Sequence, residues 1–243
     1  ASSGRKTSST EVRFMSKGIV VMAIVEGKTE QIFTKYLLAP YLANKMIFMT
    51  ATQVTKPGAK GGDVRFERIR DDVGRHLKQR SDSYVTTFVD YYGVKEWPDL
   101  DKVPSNASPS RIAEIVNNAA KEYIVRSFPD LRAEERFVPY MSIHEFEALL
   151  FSDSAVLAAE FRITEQEVID VLKEFRDPEA INDGPRTAPS KRLANWSGNT
   201  FLKTANGIAI AEKIGIPRMR EKCFLFDTWL RQFEDIAGRL REK

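Results

Sequence analysis

Cysteine is almost absent from this chain. Its 243 residues include one, Cys223, which excludes an intrachain disulfide and any cysteine-rich zinc site and fits a reducing compartment. Histidine is nearly as scarce. There are two in the whole sequence, His76 and His144, and only His144 falls among the candidate acids, which makes zinc a poorer fit than an oxygen-bound cation. Long apolar runs are missing too, and none approaches the roughly 20 residues of a membrane span. Residues 1–17 are serine-rich without an apolar core, which excludes a cleaved secretory leader there. They read as a flexible tail or expression remnant, with Met15 a natural start. Neither charge sign dominates: 37 Lys and Arg against 34 Asp and Glu leave a net charge of +3. A pI near 8.9 permits nucleic-acid binding without demanding it. The expectation is a cytoplasmic globular protein with no membrane contact and one large core or two small ones.

What is present is a regular alternation of apolar runs and helical patterns. Residues 19–25, Ile-Val-Val-Met-Ala-Ile-Val, read as a strand buried on both faces. Thr29 then offers an N-cap for a helix to about Leu42, with Ile32, Phe33, Tyr36, Leu37 and Leu38 at helical spacing. A second strand is expected over 46–54, a glycine- and lysine-rich loop over 56–62, and a helix over 63–79. A third strand over 84–89 ends at Asp90. Helix is expected again over 110–127, then a fourth strand over 136–143 running into His144-Glu145-Phe146-Glu147. This order implies βαβ units and a mainly parallel sheet. Past Ser152 the strand signal stops and helices follow, with Phe224, Trp229 and Phe233 at core spacing. The expected organisation is a tail (1–17), an α/β core (18–151) and a helical lobe packed on it (152–243).

Parallel strands joined by crossover helices share one carboxyl edge, where ligands collect. Glu26, Asp90 and the group His144, Glu145 and Glu147 each lie just past such an end. If their strands are neighbours these carboxylates converge and repel one another, and the remedies are a hard divalent cation, with Mg²⁺ or Mn²⁺ the natural tenant, or a shared proton. On a helix, His144 and Glu147 would share a face and Glu145 would point elsewhere. Glu147 stands among Phe146, Ala148, Leu149, Leu150 and Phe151, so it needs a cation, a donor or a metal to be buried. Two basic stretches suit phosphate: Lys56 and Lys60 among glycines, and Lys191-Arg192 after the Ala188-Pro189-Ser190 turn.

Taken together, several motifs carry a resemblance. They are Val25-Glu26-Gly27-Lys28-Thr29-Glu30, Lys60-Gly61-Gly62, Asp90-Tyr91-Tyr92-Gly93, Pro139-Tyr140, the run from His144 to Phe151, residues 178–182 and residues 188–193. Over about residues 18–237 the chain resembles a prokaryotic TOPRIM-like family, often encoded beside an ABC/AAA-type ATPase and linked to phage defence. The resemblance implies a TOPRIM-like Rossmannoid core with a C-terminal helical lobe. In TOPRIM domains a Glu after the first strand and an Asp-x-Asp after a later one hold the metal, which puts Glu26 and Asp90 in those places. Tyr92 stands where the second Asp would be, and a phenol is a poor ligand at neutral pH. Either Glu147 or Glu145 supplies the missing oxygen, or catalysis is weakened or lost.

The implied function is a Mg²⁺- or Mn²⁺-dependent nuclease, a hydrolase cleaving phosphodiesters of DNA or RNA in antiviral defence with an ATPase partner. Glu26, Asp90 and Glu147, with Glu145, would be the metal ligands. His144 would orient a carboxylate or move a proton, and Lys60, Lys191 and Arg192 would hold phosphate. A homo-oligomer is compatible with this reading. The alternatives are a non-catalytic regulatory or binding subunit of an ATPase complex and a nucleotide-processing phosphotransferase.

Overall fold

The computed structural model describes residues 18–242 apart from 57–58, 61–63, 93, 144, 176, 182–183 and 185–186, and describes the backbone alone at 56, 59 and 60. The tail expected over 1–17 lies outside the described residues, as does His144. The strands are β1 (Ile19–Val25), β2 (Ile47–Gln53), the short hairpin β3 (Thr55–Lys56) and β4 (Ala59–Lys60), β5 (Ser83–Asp90), β6 (Phe137–Val138) and β7 (Met141–Ser142). The main sheet has the order β2-β1-β5-β6, with β7 also on β5, and every pairing in it is parallel. The fold is therefore α/β with a parallel, Rossmann-like sheet and C-terminal helices.

Alternation along the central strands sends side chains to two layers. Ile24, Val85 and Val89 face helices 66–79 and 109–127, where Ile69, Val73, Val116 and Ile124 complete one core. Val21, Ala23, Val25 and Phe88 face the other way, into a core shared with Phe33, Phe146, Leu150, Phe226, Trp229 and Phe233. The helix Phe224–Arg241 closes that side. Trp229 stacks on Tyr140 at 4.4 Å and 7°, and its indole N–H donates to Thr86 Oγ1 at 2.9 Å. Phe224, expected in the core with Trp229 and Phe233, is instead exposed, because it opens the helix before its apolar face turns inward.

The fourth strand departs from expectation. In place of one run over 136–143, two dipeptides flank Pro139-Tyr140. Proline has no N–H for the ladder, and Thr87 substitutes for strand pairing across the gap. Its Oγ1 donates to the Tyr140 carbonyl at 2.9 Å and accepts the Tyr140 N–H at 3.0 Å. Past Ser152 no strand occurs among the described residues, in line with the helical pattern there. No helix among them is long and apolar enough to cross a membrane.

Candidate functional site

The register of the sheet brings the acids to one edge. Val25 is level with Phe88, and Asp90 with Ser142, so the chains leaving β1, β5 and β7 emerge side by side. The Glu26 N–H donates to the Phe88 carbonyl at 3.2 Å, and the Asp90 N–H donates to Glu26 Oε2 at 3.2 Å. The two acids thus share one turn of structure although they are far apart in sequence.

A third acid enters from the first helix. That helix, Lys28–Phe33, is capped from Gly27, not from Thr29 as the sequence suggested. Glu30, three residues in, reaches back so that its Oε2 accepts the Gly27 N–H at 2.9 Å. This is the reciprocal half of a capping box, in which the acid at the third helical position covers an otherwise unpaired donor. Thr29, now inside the helix, pairs its hydroxyl with that of Thr204 at 3.0 Å. The chain continues through a π-helical turn, Thr34–Leu38, into the helix Ala39–Ala43.

Two further acids come from the segment after β7, and here the expected helix is replaced. Glu145 is extended, and Phe146–Ser152 forms a 3₁₀ helix. Phe146 is the anchor, its ring 5.0 Å from that of Phe33. An extended residue followed by a tight turn lets both neighbours of Phe146 reach the same cation, whereas an α-helix would have splayed them. Lys203 Nζ lies 3.0 and 3.1 Å from the two Glu147 oxygens and 3.5 Å from Glu145 Oε1. Glu147 is 1 % exposed, so the pair is buried on the acid side. Glu145 also has a structural task. Its oxygens accept the Ser190 N–H and hydroxyl, each at 2.9 Å, at the start of the helix Pro189–Trp196. Lys203 opens a second π-helical turn, Lys203–Gly207, which leads into the helix Ile208–Ile214. Single π turns of this kind are frequent at functional sites.

Crowding and burial change the charges. Burial raises the Glu26 carboxyl above its usual range, and the Asp90 N–H and Lys203 oppose it. Burial raises Glu30, and the neighbouring Glu26 adds to the shift. Asp90 is pushed well above the carboxylate range by burial and then by Glu30, Glu26 and Glu147. Its Oδ1 is enclosed with no hydrogen-bond partner among the described residues. Glu147 is raised by burial, with Lys203 holding it down. Burial works against the charge of Lys203, yet Glu147 and Glu145 lift its pKa above the ordinary lysine value. At this edge Glu26, Glu30, Asp90 and Glu147 therefore hold protons more firmly than free carboxylates, with the half-exposed Lys203 ammonium set against Glu147.

The sequence-derived residues fare differently. Glu26 and Asp90 are brought together, and Glu147 and Glu145 stand around Lys203 beside them. Among the described residues, however, no three His, Cys, Asp or Glu side chains are close enough to hold one metal ion. Lys203 takes the place of a cation at Glu147. Arg192 is engaged elsewhere: it donates to the Thr187 carbonyl at 2.8 Å, lies 3.7 Å from Glu174, and rests on the Phe175 ring. Lys191 is exposed on the first turn of the same helix, next to Ser190. Lys60 is described in backbone only, in β4, and its side chain lies outside the described residues, as does His144. Sequence reasoning missed Glu30 and Lys203. Glu30 had a signal, an acid three residues past a helix start. Lys203 had none, since it lies in a polar stretch with no periodic pattern.

The acidic cluster lies at the carboxyl edge of a parallel sheet, the edge at which open α/β folds bind their ligands. The family itself is defined by sequence: the chain belongs to the family described as Domain of unknown function (DUF4276), whose model matches residues 25–234. No curated protein matches it. Among solved structures it is similar to the C-terminal region of the Xanthomonas campestris pv. campestris OLD protein, with 15 % identity over 95 % of this chain and 100 % of that one, at a TM-score of 0.41.

Proposed function

We propose that the acidic edge is the centre of a Mg²⁺- or Mn²⁺-dependent nuclease that cleaves phosphodiesters of DNA or RNA. The observation carrying this reading is the buried, unpartnered Asp90 Oδ1 beside Glu26, Glu30 and Glu147. A buried carboxyl oxygen without a partner is costly once it is charged, so it takes either a proton, as burial and the neighbouring acids favour, or a hard cation, which the nuclease reading places there. Magnesium asks for one or two carboxylates and fills its remaining positions with water and substrate phosphate. Glu26 and Asp90 suffice for that, so the donor set fits without a three-acid cage. When bound, such an ion activates water and offsets charge on the phosphate.

The chain's own residues have separate roles in this scheme. Glu26 and Asp90 hold the edge together through the Asp90 N–H. Glu26, whose carboxyl burial raises above its usual range, is suited to passing a proton. Glu30 fixes the first helix turn and adds negative potential. Lys203 orients Glu147 and supplies positive charge toward a phosphate. Lys191 is an exposed cation for the flanking backbone, and His144 is assigned the proton-transfer role implied by its place in the motif. The sequence resemblance supports a defence setting with an ABC/AAA-type ATPase partner.

Nicking of supercoiled plasmid and cleavage of labelled RNA, with and without Mn²⁺ or Mg²⁺, test the proposal. Activity should need the cation and fall to background in Glu26→Ala and Asp90→Ala proteins that keep wild-type circular dichroism. Full activity in both variants would remove the acidic edge from the reaction. One observation favours a second reading, a non-catalytic subunit: Lys203 already neutralises Glu147 without a metal. That reading requires no Mn²⁺ binding by calorimetry and unaltered biological effect in Glu26→Ala.

A further inference from the structure

Beside the acid edge lies a cleft of about 320 Å³. It is lined by Glu26, Val64, Arg65, Tyr92, Lys95 and Glu96. The walls are tied together. Arg65 and Glu96 form a backbone bridge and an ion pair at 4.0 Å, and the Phe66 N–H donates to the Glu96 carbonyl at 3.2 Å. The helix Phe66–Gln79 begins at this bridge and packs its Phe66 ring edge-on against Trp97 at 4.9 Å. The cleft is thus a fixed feature of two packed elements.

Tyr92 is out of place in such a setting unless it has a task. It is 47 % exposed, two residues past the end of β5, while Phe88 and Val89 just before it are fully buried. It therefore contributes little to the core. It borders a cleft that also contains two acids, Glu26 and Glu96, and two basic side chains, Arg65, which faces Glu96, and Lys95. An accessible ring flanked by cations suits one ligand chemistry above others: a flat π-system carrying phosphate, the repeating unit of a nucleic-acid strand. The volume sits at the small end of ligand pockets, roughly 300–1,000 Å³. That is room for one nucleotide and not for a base-paired step. In a duplex the base faces are hidden by their neighbours, so a ring-face platform selects unpaired bases.

We infer that Tyr92, with Lys95 and Arg65, forms a stacking subsite for an unpaired nucleotide next to the acidic edge, making single-stranded nucleic acid the preferred substrate class. This assignment rests on the nuclease reading for its meaning, yet it is tested by binding alone. Fluorescence anisotropy with a labelled oligothymidylate and with a matched duplex, both in EDTA, separates the two. Stacking is worth about 1–3 kcal/mol per base, so Tyr92→Ala should weaken oligothymidylate binding about 5- to 150-fold. Tyr92→Phe should stay within about twofold, and the duplex should be little changed by either. Lys95→Ala should weaken both probes and flatten the salt dependence by about one unit of slope. Equal binding by Tyr92→Ala and wild type overturns the inference, and so does an equal loss on both probes. If plasmid and RNA remain intact under every cation while the Tyr92-dependent preference persists, the cleavage reading falls and this one stands.

Discussion

Replacing Lys203 with methionine removes the cation that pairs with Glu147 at the acidic edge. Two magnitudes compete. Removing one partner of a fully buried ion pair costs roughly 3–5 kcal/mol, because a charge is left enclosed without compensation. An exposed pair is worth about 0–1 kcal/mol. Here Glu147 is 1 % exposed and the Lys203 side chain 48 % exposed, so solvent screens one end only. The expected loss lies between the two limits, about 1–3 kcal/mol at pH 8. For a chain of this size each kcal/mol moves Tm by roughly 2–4 °C, which gives a fall of about 2–12 °C by calorimetry or circular dichroism.

The sign with pH follows from Glu147. Burial already raises its carboxyl, and Lys203 holds it down. Without Lys203 it rises further, so acid neutralises Glu147 and the penalty shrinks as the pH falls from 8 toward 5. Lys203→Met combined with Glu147→Gln should recover most of the loss, a coupling that a double-mutant cycle measures directly. Mn²⁺ should raise the Tm of Lys203→Met more than that of wild type, since the cation then meets an unoccupied acid pair. A loss under 0.5 kcal/mol that is the same at both pH values, with no coupling to Glu147→Gln, would refute the reasoning.

Two other substitutions separate stability from function. Asp90→Asn removes a charge that burial and three neighbouring acids oppose, so it should raise Tm at pH 8 while abolishing cation-dependent cleavage; a lower Tm would show that the Asp90 charge is well compensated. Glu179 is a buried carboxylate that accepts the Leu225 and Phe226 N–H groups at the start of the last helix, and burial lifts its pKa to about 7. Its folded value exceeds the unfolded one, so the stability it contributes is complete below about pH 4.5 and is lost as the pH rises through 7. The change is about 3 kcal/mol at most. Glu179→Gln should flatten the curve of unfolding free energy against pH in that window, and an unchanged slope would exclude Glu179 as its source.

The parts of the fold legible in the sequence were those with an unbroken pattern. β1 and β5 are continuous apolar or β-branched runs, and their helices carry regular apolar spacing, so their existence and order followed directly. The fourth strand was not legible as two pieces, because the interruption depends on Thr87, which lies 53 residues from Tyr140. The stretch from Glu145 to Ser152 misled for a related reason. Its apolar residues occur at a density suited to any buried helix, and that density does not separate an α-helix from the 3₁₀ form found. At the site, Glu26 and Asp90 were readable from their places after strands. Lys203 was not, since its partners come from an element about 56 residues earlier and nothing local marks it.

The broken outer strand has a consequence for how this molecule meets others. A strand that ends a sheet normally presents a row of free main-chain groups on which another polypeptide can zip. On the β6 and β7 side that row is two residues long, then interrupted by an imide nitrogen at Pro139, and the Phe137 carbonyl is already taken by the Lys121 ammonium. The opposite border, β2, runs seven residues without a break. Within the main sheet, main-chain templating of a neighbouring polypeptide, whether in assembly or in aggregation, is therefore favoured at β2, the border remote from β6 and β7.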